Sequence, residues 1–269
     1  MLGAIIGDIV GSRFEFNNTH DADFEFFHND CKVTDDSVMT VAVMAAMLEG
    51  SLDAETKYKA NVIKQFKQFY ALFPNSGYGL GFKDWLGSDE PKPYNSFGNG
   101  ACMRVSPVAV LVDTERKAVT KWTTEVSHNH PLALAWTEFL TSAIAIVKTM
   151  SITDAKAYLT NALEDTFTAD NIDKYYLNGT PDICPGLFDE TCQGVMPIAV
   201  RAVIEADDFE TAIRNAVKYG GDSDTIACIT GSLAEAVFGI SASTRRAVTR
   251  FIPAELMSVI REFYREFVK

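Results

Sequence analysis

Two acidic stretches far apart in the sequence carry the residues most able to do chemistry. Thr34-Asp35-Asp36-Ser37 stands directly before the apolar run Val38 to Leu48. Gly220-Gly221-Asp222-Ser223-Asp224-Thr225 opens a second apolar run, Ile226 to Phe238. Each places carboxylates and a hydroxyl at a helix start, where unpaired N–H groups and the positive end of the helix dipole favour them. Taken singly, each reads as an N-cap. Taken together they predict a site: if the two starts converge, Asp35, Asp36, Asp222 and Asp224 share one small volume. Two unit charges about 4 Å apart repel by roughly 4 kcal/mol even at an effective dielectric near 20, so such a cluster needs protons or cations. An all-oxygen set, the carboxylates plus the hydroxyls of Thr34 and Thr225, suits Mg²⁺ or Mn²⁺ rather than zinc. The expectation is a site for two divalent ions.

A third stretch, Tyr94-Asn95-Ser96-Phe97-Gly98-Asn99-Gly100, precedes the apolar run Ala101–Val112. Gly98 and Gly100 let backbone N–H groups approach a ligand at a helix start, which suits a phosphate. A plain turn with an N-cap accounts for the same residues almost as well. Glu15, between Phe14 and Phe16, reads from spacing alone as a solvated loop acid. His128 and His130 flank Asn129 just before Pro131, a position as compatible with structure as with catalysis.

The elements that must position these residues are helices. Leu2, Ile5, Ile6, Ile9 and Val10 repeat at helical spacing over 2–12, while Gly3, Gly7 and Gly11 form a separate stripe that predicts close approach of another backbone. Helices are expected from Val38 to Gly50, over 53–72 with Ala60, Ile63, Phe66, Phe69 and Tyr70 inward, and over 101–112 with a kink at Pro107. Residues 73–98 show no clear period and read as a long, ordered, functional loop carrying Tyr78, Phe82 and Trp85. Further helices are expected at 114–127, 131–149, 153–167 with Thr153 as cap, 189–206 with a kink at Pro197, 208–219, 224–238, 243–252 and 254–268. A loop over 170–188 interrupts them. No segment alternates with period two. The fold class is therefore all-α, about ten or more helices, without repeats, read as one domain spanning 1–269.

The bulk properties narrow the function. The chain has 269 residues, 47% of them hydrophobic, which is ample for a core. Its formal net charge of −12, from 24 basic and 36 acidic residues, makes attraction to free nucleic acid or an anionic membrane unlikely. Five cysteines without a CxxC pair point to reduced thiols in a cytosol. The start lacks a basic signal region, Asp8 interrupts its apolar stretch, and no apolar run is long enough to cross a bilayer. A cytoplasmic protein is expected.

In order along the chain, Gly7-Asp8-x-x-Gly11-x-x-x-Glu15, Thr34-Asp35-Asp36-Ser37, Ser96-Phe97-Gly98-Asn99-Gly100-Ala101-x-Met103-Arg104, Ser127-His128 and Gly220-Gly221-Asp222-Ser223-Asp224-Thr225-Ile226 resemble the motifs of the ADP-ribosylglycohydrolase family. The resemblance implies an all-helical fold with two Mg²⁺ or Mn²⁺ ions, cleaving ADP-ribose from a modified protein or a small conjugate. It assigns Thr34, Asp35, Asp36, Asp222, Asp224 and Thr225 to the metals, with Asp35, Asp36 and Asp224 counted in the catalytic set. It assigns Glu15 to proton transfer, and Ser96, Gly98, Asn99 and Gly100 to the diphosphate and adjoining ribose. Phe97 falls to adenine, and His128 to the phosphate–ribose portion. Ser37 and Ser223 depart from a frequent Thr but keep a hydroxyl. The segment 79–95 and the loop 170–188 do not align, which leaves the acceptor open. A catalytically silent ADP-ribose binder and a metal-dependent nucleotide-diphosphate phosphohydrolase are the alternatives.

Overall fold

Glycine at every fourth position of the first helix decides how the fold is centred. A computed structural model of the chain describes residues 1–177 and 185–268. In it α1 (Leu2–Gly11) lies buried along its whole length against α12 (Ser223–Phe238), the most closely packed helix pair of the molecule. A Cβ at Gly7 would overlap the carbonyl of Ala227, and one at Gly11 would stand 2.5 Å from the Ser223 carbonyl oxygen. Only the missing side chains allow this approach. We therefore expect Gly7→Ala to force the two backbones apart and to cost about 3 kcal/mol, the upper end of overpacking effects, read as a lowered urea midpoint at unchanged m-value.

Around this pair stand α2 (Asp35–Leu48), α3 (Glu55–Leu72), α4 (Leu80–Gly87), α5 (Gly100–Arg104), α6 (Asp113–Glu125) and α7 (Pro131–Val147). The chain continues through α8 (Ile152–Asp165), α9 (Ile172–Tyr175), α10 (Cys192–Ile204), α11 (Phe209–Tyr219), α13 (Ala242–Val248) and α14 (Ala254–Phe267). The all-α expectation holds: among the described residues the sole β pairing is an isolated bridge between Gly98 and Thr191. One hydrophobic cluster runs through the helices. Its inner layer is α1, α2 and α12, with α10 and α11 packed on α12 and α3 and α14 on α2.

Several sequence expectations need correction. The segment 73–98 is not a loop throughout, since Leu80–Gly87 form α4, whose Phe82, Trp85 and Leu86 are buried. Gly81 and Gly87 weaken its helical signal, and packing against α3 compensates. The helix expected over 101–112 stops at Arg104. Pro107, near the start of a 3₁₀ turn over Ser106–Val110, marks a break rather than a kink. Helix α8 is capped by Ser151, whose hydroxyl accepts from the N–H of Asp154, and not by Thr153. On α3, Ala60 is exposed; Tyr58, Val62, Gln65, Phe66 and Phe69 face inward. The loop expected over 170–188 contains the short helix α9, and its residues 178–184, with Gly179, Pro181 and Cys184, lie outside the described residues.

Candidate active site

The N-terminal ends of α2 and α12 meet. Thr34 caps α2, its hydroxyl accepting from the N–H of Asp36. The same hydroxyl donates to Asp8 Oδ1 at 2.6 Å, and Asp8 Oδ2 accepts from the N–H groups of Thr34 and Ser37, both at 3.1 Å. Asp8 projects from α1 and is wholly buried, so one carboxylate joins the central helix to the start of α2. Across the junction, Thr225 Oγ1 donates to Asp36 Oδ2 at 3.3 Å. Residues 189 positions apart in sequence are thus in direct contact.

Two carboxylate groupings result. Asp8, Asp36 and Asp224 place ligand atoms within 4.8 Å of one another, and so do Glu15, Asp222 and Asp224. Asp224 belongs to both. The turn that carries Glu15 is fastened by Asn18, whose side-chain amide donates to the carbonyls of Phe14 and Gly221 and whose Oδ1 accepts from the N–H of Gly221. Gly221 adopts φ +86°, and a side chain there would meet the Leu187 carbonyl, so glycine is required on both counts.

The third stretch closes the other side. The Ser96–Gly100 loop pairs with residues 190–192: Asn99 N–H donates to the Glu190 carbonyl at 2.7 Å, and Cys192 N–H donates to the Phe97 carbonyl at 3.0 Å. Asn99 Nδ2 in turn donates to Asp222 Oδ2 at 2.6 Å, linking this loop to the acidic cluster. His128, buried beside the loop, has Nε2 3.5 Å from where a Cβ on Gly100 would stand, and loop and histidine face the acids. The space between is a cavity of about 280 Å³. That is below the roughly 300–1,000 Å³ of sites that enclose a drug-sized ligand, so a nucleotide-sized molecule would extend beyond it.

Most of the residues expected from sequence line this cavity, among them Glu15, Asp35, Asp36, Asp222, Asp224 and Thr225. Ser96, Gly98, Asn99, Gly100 and His128 line it too. Thr34 and Phe97 do not. Thr34 is turned inward to Asp8, and the half-buried Phe97 ring packs beside His130, centroids 5.0 Å apart. Sequence reasoning missed Asp8 and Arg104 as site residues. The available signal for Asp8 was a lone carboxylate inside an apolar helix. Arg104 offered a similar one, a lone cation inside the apolar run Ala101–Val112, but no role for it was read.

Burial dominates the electrostatics. It raises Asp8 to about 6 against the hydrogen bonds of Ser37 and Thr34, and raises Asp35 to about 8, with the Asp8 charge adding to it. Asp36 and Asp224 are pushed well above the carboxylate range by burial and then by neighbouring acids. Asp222 is raised by burial as well. Glu15 is raised to about 7 by burial and then by Asp222. These are the properties of an acid cluster lacking counter-charge. Asp36 Oδ1 is also buried without a hydrogen-bond partner. An unpaired carboxylate oxygen amid an all-oxygen donor set fits hard divalent cations.

Fold and site together define an all-helical protein with an acidic centre between two helix starts. The ADP-ribosylglycohydrolase family model matches residues 1–268, and the chain belongs to that family of hydrolases. Among solved structures it is similar to an "ADP-ribosylglycohydrolase-related protein complex", 20% identical, with a TM-score of 0.70. That match covers 98% of this chain and 95% of the other, and at this identity it speaks for the fold. No curated protein matches the chain. Among the described residues no helix is long and apolar enough to cross a membrane.

Proposed function

We propose that this protein releases ADP-ribose from an ADP-ribosylated protein or small conjugate by hydrolysing the C1″ glycosidic bond at a site for two divalent cations, Mg²⁺ or Mn²⁺. The observation that carries the reading is the pair of carboxylate groupings joined at Asp224, opposite a glycine loop and a buried histidine. Asp35, Asp36, Asp222, Asp224 and Thr225 would hold the cations, with Asp8 adding its carboxylate to the grouping of Asp36 and Asp224 while, with Thr34, it braces the start of α2. When bound, the cations would supply positive charge to the ribose hydroxyls and acidify a water. Glu15 borders Asp222 and Asp224, a position from which it can take a proton from water or return one to the leaving group. Gly98 and Gly100 line the cavity without side chains, which would let a diphosphate approach their backbone, and His128 stands beside them. Binding energy from that remote end would fix the distal ribose over the acids. Phe97 would reach adenine only outside the cavity, beside His130.

The experiment is product analysis on a panel of ADP-ribosylated substrates with Mg²⁺, with Mn²⁺ and after chelation. Free ADP-ribose that disappears on chelation is the expected result. AMP would mark diphosphate cleavage instead. ADP-ribose binding without any product would mark a silent family member.

A further inference from the structure

We infer that Arg104 is a positioning residue that holds His128 as the tautomer protonated on Nε2, so that the imidazole presents an N–H donor to the anion bound at the Gly98–Gly100 loop. The inference rests on the proposed reading that this loop takes the diphosphate of the substrate. Its basis is a short hydrogen-bond chain. Arg104 Nη2 donates to Ser127 Oγ at 2.7 Å and lies 3.3 Å from His128 Nδ1, and Ser127 Oγ lies 2.8 Å from the same Nδ1. A guanidinium has donors only, so Nδ1 can receive it only as an acceptor. The Ser127 hydroxyl, already accepting from Arg104, then has its proton free for Nδ1. With Nδ1 accepting from both, the ring proton of the neutral imidazole is on Nε2.

The placement of Nε2 gives this tautomer its use. Nε2 is 3.7 Å from where a Cβ on Gly98 would stand and 3.5 Å from the equivalent point on Gly100. Burial and then the Arg104 charge hold His128 well below its ordinary range, so a neutral donor is maintained at neutral pH. Arg104 itself is wholly buried, with its guanidinium 4.6 Å from the Phe66 ring and 4.9 Å from that of Phe82. Its Nε and Nη1 have no hydrogen-bond partner among the described residues. Two aromatic faces on α3 and α4 therefore hold the cation in place while Nη2 does the orienting. This gives α4 a role in the site, because Phe82 forms one face of the clamp and lines the cavity.

Nitrogen-15 correlation spectra of the histidine-labelled 269-residue chain in magnesium buffer test the inference directly, with His128 assigned by its loss in His128→Gln. The expected wild-type spectrum has His128 neutral, protonated on Nε2 and bare on Nδ1. A proton on Nδ1, or on both nitrogens at pH 7, overturns the inference. In Arg104→Met we expect a mixture of tautomers and ADP-ribose binding weakened about 10- to 100-fold, by analogy with the loss when the partner that orients a metal-ligating histidine is removed. Arg104→Lys should restore part of the charge but not the tautomer. Should Arg104→Met fail to fold, Ser127→Ala serves, since it removes one of the two donors to Nδ1 and should also loosen the preference. Unchanged tautomer and affinity in the folded variant would refute the role. Failure to detect released ADP-ribose alongside the expected spectra and affinities would count against the hydrolase reading and leave the positioning of His128 intact.

Discussion

Asp224→Ala will reduce ADP-ribose release on the order of 10³-fold or more and will, in the absence of divalent ions, make the protein more stable than wild type. The two effects have one cause. Asp224 is the carboxylate common to both acidic groupings, so its removal opens both proposed cation positions at once, whereas Asp222→Ala touches only one. Loss of cation charge at the reacting centre is worth several kcal/mol, and about 4 kcal/mol corresponds to three orders of magnitude in rate. Without ions the same side chain is a liability, buried among Asp36, Asp222 and Glu15, each of which raises its proton affinity. Deleting it relieves that repulsion. A destabilised, inactive variant would point to simple misfolding, so the opposite signs separate chemistry from structure. Titration calorimetry completes the test, with two ions expected for wild type and fewer for the variant. Full activity in Asp224→Ala would remove the acidic cluster from the reaction.

The parts of this site that could be read from sequence are those where local chemistry and final role coincide. A carboxylate beside a helix start is favourable on its own terms, so Asp35, Asp36 and Asp224 are legible from sequence as helix-start residues whether or not the two starts converge. The glycine stripe of α1 was visible because three glycines in a helix are locally unfavourable and require a tertiary reason. What stayed hidden depends on partners distant in sequence. Asp8 looked like an interruption of an apolar stretch, and its meaning lies in the N–H groups of Thr34 and Ser37. Arg104 is buried only because Phe66 and Phe82 come from two other helices. Helix α4 has eight residues and two glycines, too little periodicity to register, and exists through the burial of Phe82 and Trp85. Pro107 lay in an apolar run that suited one helix equally well, until packing placed it near the start of a 3₁₀ turn.

The same cluster predicts an unusual pH dependence for the metal-free protein, which should become less stable as pH rises from about 5 to 8. In the unfolded chain these acids ionise near pH 4. In the native protein Asp8 is raised to about 6, Glu15 to about 7 and Asp35 to about 8, with Asp36, Asp222 and Asp224 raised as well. Between those limits the native state binds more protons than the unfolded state, so the free energy of unfolding falls with pH. The favourable contribution is whole below about pH 4 and is lost as pH passes through the folded values. One pKa unit is about 1.4 kcal/mol, so the fully buried Asp8 alone accounts for about 3 kcal/mol. Divalent ions compete for the ionised form and reverse the trend, adding roughly 2.7 kcal/mol at a hundredfold excess over Kd. Urea midpoints measured in chelator should therefore drop across pH 5–8, and the gap between chelator and Mg²⁺ should widen over the same range. General repulsion in a chain of net charge −12 acts in the same direction and the buried neutral His128 in the opposite one below about pH 6.5, so Asp36→Asn is the control. It should flatten the slope if the cluster is responsible and leave it unchanged if dispersed surface charge is. A midpoint in chelator that is constant or rising from pH 5 to 8 would mean these carboxylates are not crowded together in the folded protein.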